Sequence, residues 1–215
     1  MLSDEGFAIV SGVFDHEEIE TLLALLPPLD GAAGTRNLLH HPWCRDLASD
    51  ARIRRLVEEA IGPAAVPVRG ILFDKSPDAN WNLGWHQDKK IAVNGRIDAP
   101  GYFAWSEKEG VVHCQAPAAL LDACVAVRIH LDPCGLDNGP LRVIAGSHRF
   151  GVSKPIEPER FKEPVTCVCE VGDVILMKPL TLHASSKAES PRRRRVIHIE
   201  YCSATLPGGL EWAYA

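Results

Sequence analysis

No stretch of this chain approaches the roughly 20 consecutive apolar residues that a bilayer-spanning helix needs, so no membrane association is expected. The first residues, MLSDEGFAIV, lack the basic start and apolar centre of a secretory leader, which makes the cytoplasm the expected compartment. Basic residues are not in excess: 23 Lys and Arg stand against 28 Asp and Glu, a net charge of −5. That is the wrong sign for a surface built to neutralise phosphates, so nucleic acid is not an expected partner. No C-x-x-C pair occurs among Cys44, Cys114, Cys124, Cys134, Cys167, Cys169 and Cys202, which argues against a structural zinc knuckle. An odd, scattered set reads instead as free thiols in a reducing compartment. Internal repeats, low-complexity linkers and a recognisable coenzyme A-binding element are missing as well.

What remains is ordinary globular composition, 46% hydrophobic and 24% charged, enough for one domain over residues 1–215. Residues 1–66 read as mostly helical. Asp15-His16-Glu17-Glu18 has the form of a capping box, apolar positions follow at Ile19, Leu22, Leu23, Leu25 and Leu26, and Pro27-Pro28 ends the run. Asp50 caps a second helix, ARIRRLVEEAI, closed by Gly62-Pro63. After Pro67 the pattern changes to short β-branched runs, VRGILFDK, ACVAVRIHLD, VTCVCEV, DVILMKP and RRVIHIEYCS. Strands following helices predict a mainly β barrel or sandwich over 67–205 with the N-terminal helices packed outside. A long insert, 91–123, reads as mostly irregular and carries Pro100, Gly101 and Pro117 with the aromatics Tyr102, Phe103 and Trp105. Such a loop in a compact domain is expected to cover a site.

The chemistry concentrates in Trp85-His86-Gln87-Asp88. On an extended backbone His86 and Asp88 face one side while Gln87 points away. H-x-D alone is a common chance pair, and a third ligand has to come from elsewhere. His183 is the best candidate, since it follows a turn at Gly172-Asp173, a buried strand and a short exit loop. Two imidazoles and one carboxylate on one face leave three octahedral positions open, the arrangement of non-haem Fe(II) oxygenases. His130, His148 and His198 read as hydrogen-bonded structural residues. His113, in the insert, reads equally as a substrate contact or a surface residue.

Four blocks, FDKSPDANWNLGWHQD, LDNGPLRVIAGSHRFG, GDVILMKPLTLHASS and PRRRRVIHIEY, together resemble the phytanoyl-CoA dioxygenase family in order and spacing, from about Val68 to Tyr201. The resemblance implies a double-stranded β-helix (a cupin-like jelly-roll), Fe(II), 2-oxoglutarate as co-substrate, and metal roles for His86, Asp88 and His183. It implies a hydroxylase that acts on a small molecule and releases succinate and CO2, with no substrate specified. It also implies an arginine that opens the strand after the distal histidine and grips the 5-carboxylate of 2-oxoglutarate, because a guanidinium forks onto a carboxylate and keeps its charge when buried. Among Arg192, Arg193, Arg194 and Arg195 the family spacing favours Arg194, which lies eleven residues beyond His183 and seven before Tyr201, with Arg192 as runner-up.

Two further cations fall under the resemblance. Arg128 shares a strand face with Cys124, Ala126 and His130, at a position where some relatives have tryptophan. If that face is inward, Arg128 adds a second grip on 2-oxoglutarate or favours an anionic substrate; if outward, it pairs with an acid. Lys75 matches a K-x-P turn and reads as a co-substrate contact or a structural rim residue. The competing readings are a zinc hydrolase or cupin-type isomerase, neither of which needs the arginine after His183, and an inactive binding module. A halogenase is disfavoured because Asp88 is present.

Overall fold

Alternation along two central strands decides the architecture. In β8 (Cys124–His130) the side chains of Val125, Val127 and Ile129 join one apolar core. Ala126, Arg128 and His130 point the other way. In β13 (Arg194–Cys202) Ile197, Ile199 and Tyr201 join that same core while Arg194, His198 and Glu200 oppose them. One sheet therefore has an oily outer face and a polar inner face. The computed structural model describes residues 2–29, 32–152, 161 and 163–214.

The outer face is covered by helices. After α1 (Leu2–Glu5) and β1 (Phe7–Val10) comes α2 (His16–Leu25), whose Asp15–Glu18 capping box forms in both directions. A two-residue β2 (Gly34–Thr35) precedes α3 (Pro42–Ala48) and α4 (Ala51–Ile61). The Asp50 carboxylate caps α4, and Gly62 closes it at φ 89°. Ile19, Leu47, Ile53 and Val57 from these helices pack on Val127, Ile129 and Ile199. The expectation of helices outside a β core is met. The structure adds a strand the sequence reading passed over: β1 pairs antiparallel with β11 (Val174–Met177) and edges the main sheet.

That sheet has six strands in the order β1-β11-β8-β13-β3-β2, with β3 spanning Val66–Lys75. Facing its inner side is a four-stranded sheet ordered β10-β9-β12-β4, made of Val165–Cys167, Leu141–Val143, His183–Ser185 and Leu83–His86 respectively. At one end the two sheets close on a small core of Leu141, Val143, Cys167, Cys169, Ile175 and Met177. At the other end they stay apart, and polar groups line the gap. This is the mainly β, jelly-roll arrangement that the sequence predicts.

The insert departs from expectation. It is not irregular but forms a third sheet, β5-β7-β6, from Lys90–Val93, Val111–Gln115 and Phe103–Lys108, followed by the short helix α5 (Ala118–Asp122). A bulge at Ala104 (φ 52°) and a two-residue turn with Glu109 (φ 51°) and Gly110 (φ 78°) break the period-two pattern that would have revealed it. All seven cysteines are free and buried.

Candidate metal centre and its cavity

His86 ends β4 and His183 begins β12, and the two are direct cross-strand partners. Their rings sit 4.1 Å apart, centroid to centroid. Asp88 follows two residues on, its backbone N–H donating to the Pro179 carbonyl at 2.9 Å. One oxygen of Asp88 lies 3.5 Å from His183 Nε2 and the other 3.9 Å from His86 Nε2. The three ligand atoms all lie within 4.8 Å of one another.

The donor set fits a metal on its hydrogen bonding. His86 Nδ1 donates to the Gly84 carbonyl and His183 Nδ1 to the Thr181 carbonyl, each at 2.8 Å. With Nδ1 protonated, each Nε2 presents its lone pair toward Asp88. Burial, against the pull of Asp88, takes the His183 imidazole down to about 4 and keeps it neutral. Burial would raise the Asp88 carboxyl, but His183, His198, His86 and Arg69 outweigh it and hold the carboxyl at about 2. A second cluster, Asp88 with His198 and Glu200, is also compact. Its groups are already engaged: Arg69 pairs with Glu200, and His198 Nε2 lies 3.1 Å from the same carboxylate. It forms a buried charge network beneath Asp88.

The four arginines of the basic run separate cleanly. Arg192 pairs with Asp137 at 2.9 Å, Arg193 with Asp74 at 2.7 Å and Arg195 with Asp132 at 2.7 Å. Arg194 alone has no carboxylate among the described residues. It is buried, it donates to the Gly139 carbonyl and weakly to the Cys134 sulfur, and its Nε has no partner. Opposite it in the β3–β13 ladder is Lys75, fully buried, with Nζ 2.5 Å from the Ser186 carbonyl and over the Trp81 ring at 4.3 Å. Gly139 takes φ 61° here, and a Cβ on it would press on Ser186 O at 2.5 Å and on Lys75 Nζ at 2.9 Å. Burial and Arg194 together lower the Lys75 ammonium to about 8. Arg128 faces inward; among the described residues its guanidinium hydrogen-bonds to His198 Nδ1 at 2.9 Å and lies 5.2 Å from the Phe73 ring, and burial with Arg194 lowers it to about 10. Lys75, Arg194 and Arg128 thus form a group of buried cations, none paired with a carboxylate among the described residues.

A cavity of about 350 Å³ opens onto the metal cluster. Its walls include His86, Asp88, His183, Trp81, Ser185 and Arg128, while Arg194 and Lys75 lie just behind Trp81 and Ser185. The insert contributes Lys108 and Gln115, so its sheet forms part of the wall. Trp105 does not reach the cavity; it packs with Tyr102 on a second core, and the Arg96 guanidinium lies 5.7 Å from its ring. His113 is buried rather than exposed, with Nε2 unpartnered. His130 is buried with neither ring nitrogen hydrogen-bonded among the described residues, contrary to the structural hydrogen bond expected. The sequence reading missed Arg36, Arg69, Lys90 and Lys108 on the wall. Alternation in β3 offered a signal for one of them: Arg69, Ile71, Phe73 and Lys75 share a face.

The sequence model of phytanoyl-CoA dioxygenase matches residues 2–196. No curated protein matches the chain in sequence. Among solved structures, HygX from Streptomyces hygroscopicus with iron bound is 18% identical, covers 94% of this chain and 83% of its own, and has a TM-score of 0.67. AviO1 from Streptomyces viridochromogenes Tue57 is 22% identical over 96% of this chain and 94% of its own, also at 0.67. EctD from S. alaskensis, crystallised with 2-oxoglutarate and 5-hydroxyectoine, is 18% identical over 94% and 73%, at 0.68. At these identities the likeness concerns the fold.

Proposed function

The chain belongs to the phytanoyl-CoA dioxygenase family, and from that premise we propose that it is an Fe(II)- and 2-oxoglutarate-dependent oxygenase that hydroxylates a small molecule. His86, Asp88 and His183 hold the metal. Arg194 holds the 5-carboxylate of 2-oxoglutarate, with Lys75 and Arg128 adding positive charge beside it. When bound, iron and the oxo-acid supply O2 activation and C–H oxidation, with succinate and CO2 released.

One observation carries this reading: a two-histidine, one-aspartate cluster stands beside three buried cations that lack carboxylate partners among the described residues. Buried unpaired charge is costly, and a dicarboxylate co-substrate relieves that cost. A zinc hydrolase or an isomerase has no use for it. HygX has been crystallised with nickel and 2-oxoglutarate, which supports the same pairing of groups here. The protein's own residues then do three things. The Nδ1 hydrogen bonds to Gly84 and Thr181 orient the imidazoles, the Arg69–Glu200–His198 network backs Asp88, and the insert sheet narrows the mouth against water.

Residues 1–215 are read as one catalytic unit. Among the described residues no helix is long and apolar enough to cross a membrane, and seven unpaired thiols suit the cytoplasm. The test is anaerobic addition of Fe(II) and 2-oxoglutarate, which should give a weak visible charge-transfer band, followed by succinate release on admitting O2. Asp88→Ala should lose both while keeping its circular dichroism. A fully active Asp88→Ala protein would refute the assignment.

A further inference from the structure

Among the described residues, six cationic side chains line the cavity, Arg36, Arg69, Lys89, Lys90, Lys108 and Arg128, against a single acidic one, Asp88. This stands inside a chain whose net charge is −5. Five of these cations divide into two groups. Arg128 lies with Arg194 and Lys75 on the main-sheet side, where the co-substrate is assigned. Arg36, Lys90 and Lys108 belong to β2's exit and to the insert sheet, and Arg69 lies behind them.

The second group is short of counter-charge. Lys90 Nζ donates to the Ala104 carbonyl at 2.9 Å and to Ser106 Oγ at 2.7 Å, both neutral. Lys108 has no hydrogen-bond or ion-pair partner among the described residues. Arg36 has one, Glu109, at 3.2 Å, and Arg69 is matched by Glu200. Burial and the nearby Arg36, Lys90 and Arg69 all push the Lys108 ammonium downward, so these charges crowd one another. Arg36, Lys90 and Lys108 come from three separate stretches of chain. That suits an oxygen-rich anion approached from several directions as much as a planar one.

The geometry points to a substrate that carries an oxyanion group, phosphate or carboxylate, seated against Lys90, Lys108 and Arg36 on the insert-sheet wall while the carbon to be oxidised faces His86, Asp88 and His183. This rests on the oxygenase reading and narrows it. The cavity volume limits the substrate to metabolite size. Gln115, buried in the same wall, adds a neutral donor and acceptor for the part of the substrate between anion and metal.

The test is calorimetric titration of the full chain, loaded with nickel in place of iron and saturated with 2-oxoglutarate. The probes are inorganic phosphate, tricarballylate and neutral glycerol at fixed ionic strength. Phosphate or tricarballylate should bind and glycerol should not, and whichever anion binds more tightly tells a phosphate ester from a carboxylic acid. Lys108→Glu should weaken the anion roughly tenfold or more, with Lys108→Arg restoring it and Lys90→Gln weakening it less. Lys108 is exposed, so its replacement leaves the core intact. Equal binding of anion and glycerol, or an anion affinity indifferent to Lys108→Glu, overturns the assignment. Failure of the wild-type chain to bind 2-oxoglutarate would instead strike the oxygenase reading.

Discussion

At the scale of single residues, the proposed metal ligands His86, Asp88 and His183 were legible because their signal is local. His86 closes β4 and Asp88 lies two residues past its end, near enough that the H-x-D pair still converges, and His183 follows a recognisable turn and strand. Arg194 was legible only through the family spacing; the structure adds an independent reason, since Arg192, Arg193 and Arg195 each already have a carboxylate. Arg194→Ala should therefore raise the 2-oxoglutarate KM by the equivalent of about 2–5 kcal/mol, while Arg192→Ala, which loses an exposed ion pair, should change it little. Steady-state kinetics of the two variants side by side decide the register. His130 makes a separate prediction. Burial, with Arg128 and Arg194 nearby, lowers its imidazole from the ordinary value to about 3. The unfolded chain binds a proton there near pH 6.5 and the folded chain does not, so stability is full at neutral pH and falls as pH drops toward 3. Between pH 7 and pH 5 this one group removes about 2 kcal/mol. Urea midpoints for His130→Gln should show a correspondingly shallower acid slope, and an unchanged slope would remove His130 as the cause.

At the scale of elements, the insert shows why part of the fold stayed hidden. Its strands FAWSEK and VVHCQ are short, one is bulged, and their turn is Glu-Gly rather than the Asn-Gly or Asp-Gly that marks a tight hairpin. Glutamate is a poor choice for a left-handed position, at a cost of about 1 kcal/mol or more, and its side chain supplies the reason. The Glu109 carboxylate accepts from Thr35 Oγ1 at 2.9 Å, from the Arg36 N–H at 2.8 Å and from the Arg36 guanidinium at 3.2 Å. Asn37 Nδ2 closes the contact on the Glu109 carbonyl at 3.1 Å. The hairpin tip is thus latched to β2 across the cavity mouth. Glu109→Asn suits the turn better but removes the latch. It should leave the thermal midpoint within a few degrees of wild type while speeding amide exchange through Phe103–Gln115. Unaltered exchange in that hairpin would show that the latch does not hold it down. The cavity cations were illegible for a related reason: Arg36, Lys90 and Lys108 are far apart in sequence and meet only through this latch and sheet.

At the scale of the whole molecule, the two jelly-roll sheets are held unequally. The six-stranded sheet is backed by helices and a large apolar core. Among the described residues β4 is an edge of the four-stranded sheet, joined to β12 through two residue pairs, His86 with His183 and Leu83 with Ser185. A metal bound by His86, Asp88 and His183 ties that edge to its neighbour a second time. Metal at a hundred times its dissociation constant adds about 2.7 kcal/mol, which for a chain of this size is roughly 5–10 °C in Tm. Chelation should lower the melting temperature by that amount, with the loss of amide protection concentrated in Leu83–Lys90. Uniform loss across β8 and β13 would mean that the metal supports the whole core instead.

An edge strand fastened by the ion it serves makes the working state and the durable state the same state. If His86, Asp88 and His183 hold iron as proposed, a chain deprived of it should fray at β4, where exposed Leu83 and an unpaired strand edge offer a cleavage site and a template for association. Limited proteolysis with and without chelator should cut first near residues 83–90 in the chelated sample. The lifetime of the polypeptide in the cell would then follow the supply of iron, with no dedicated sensor.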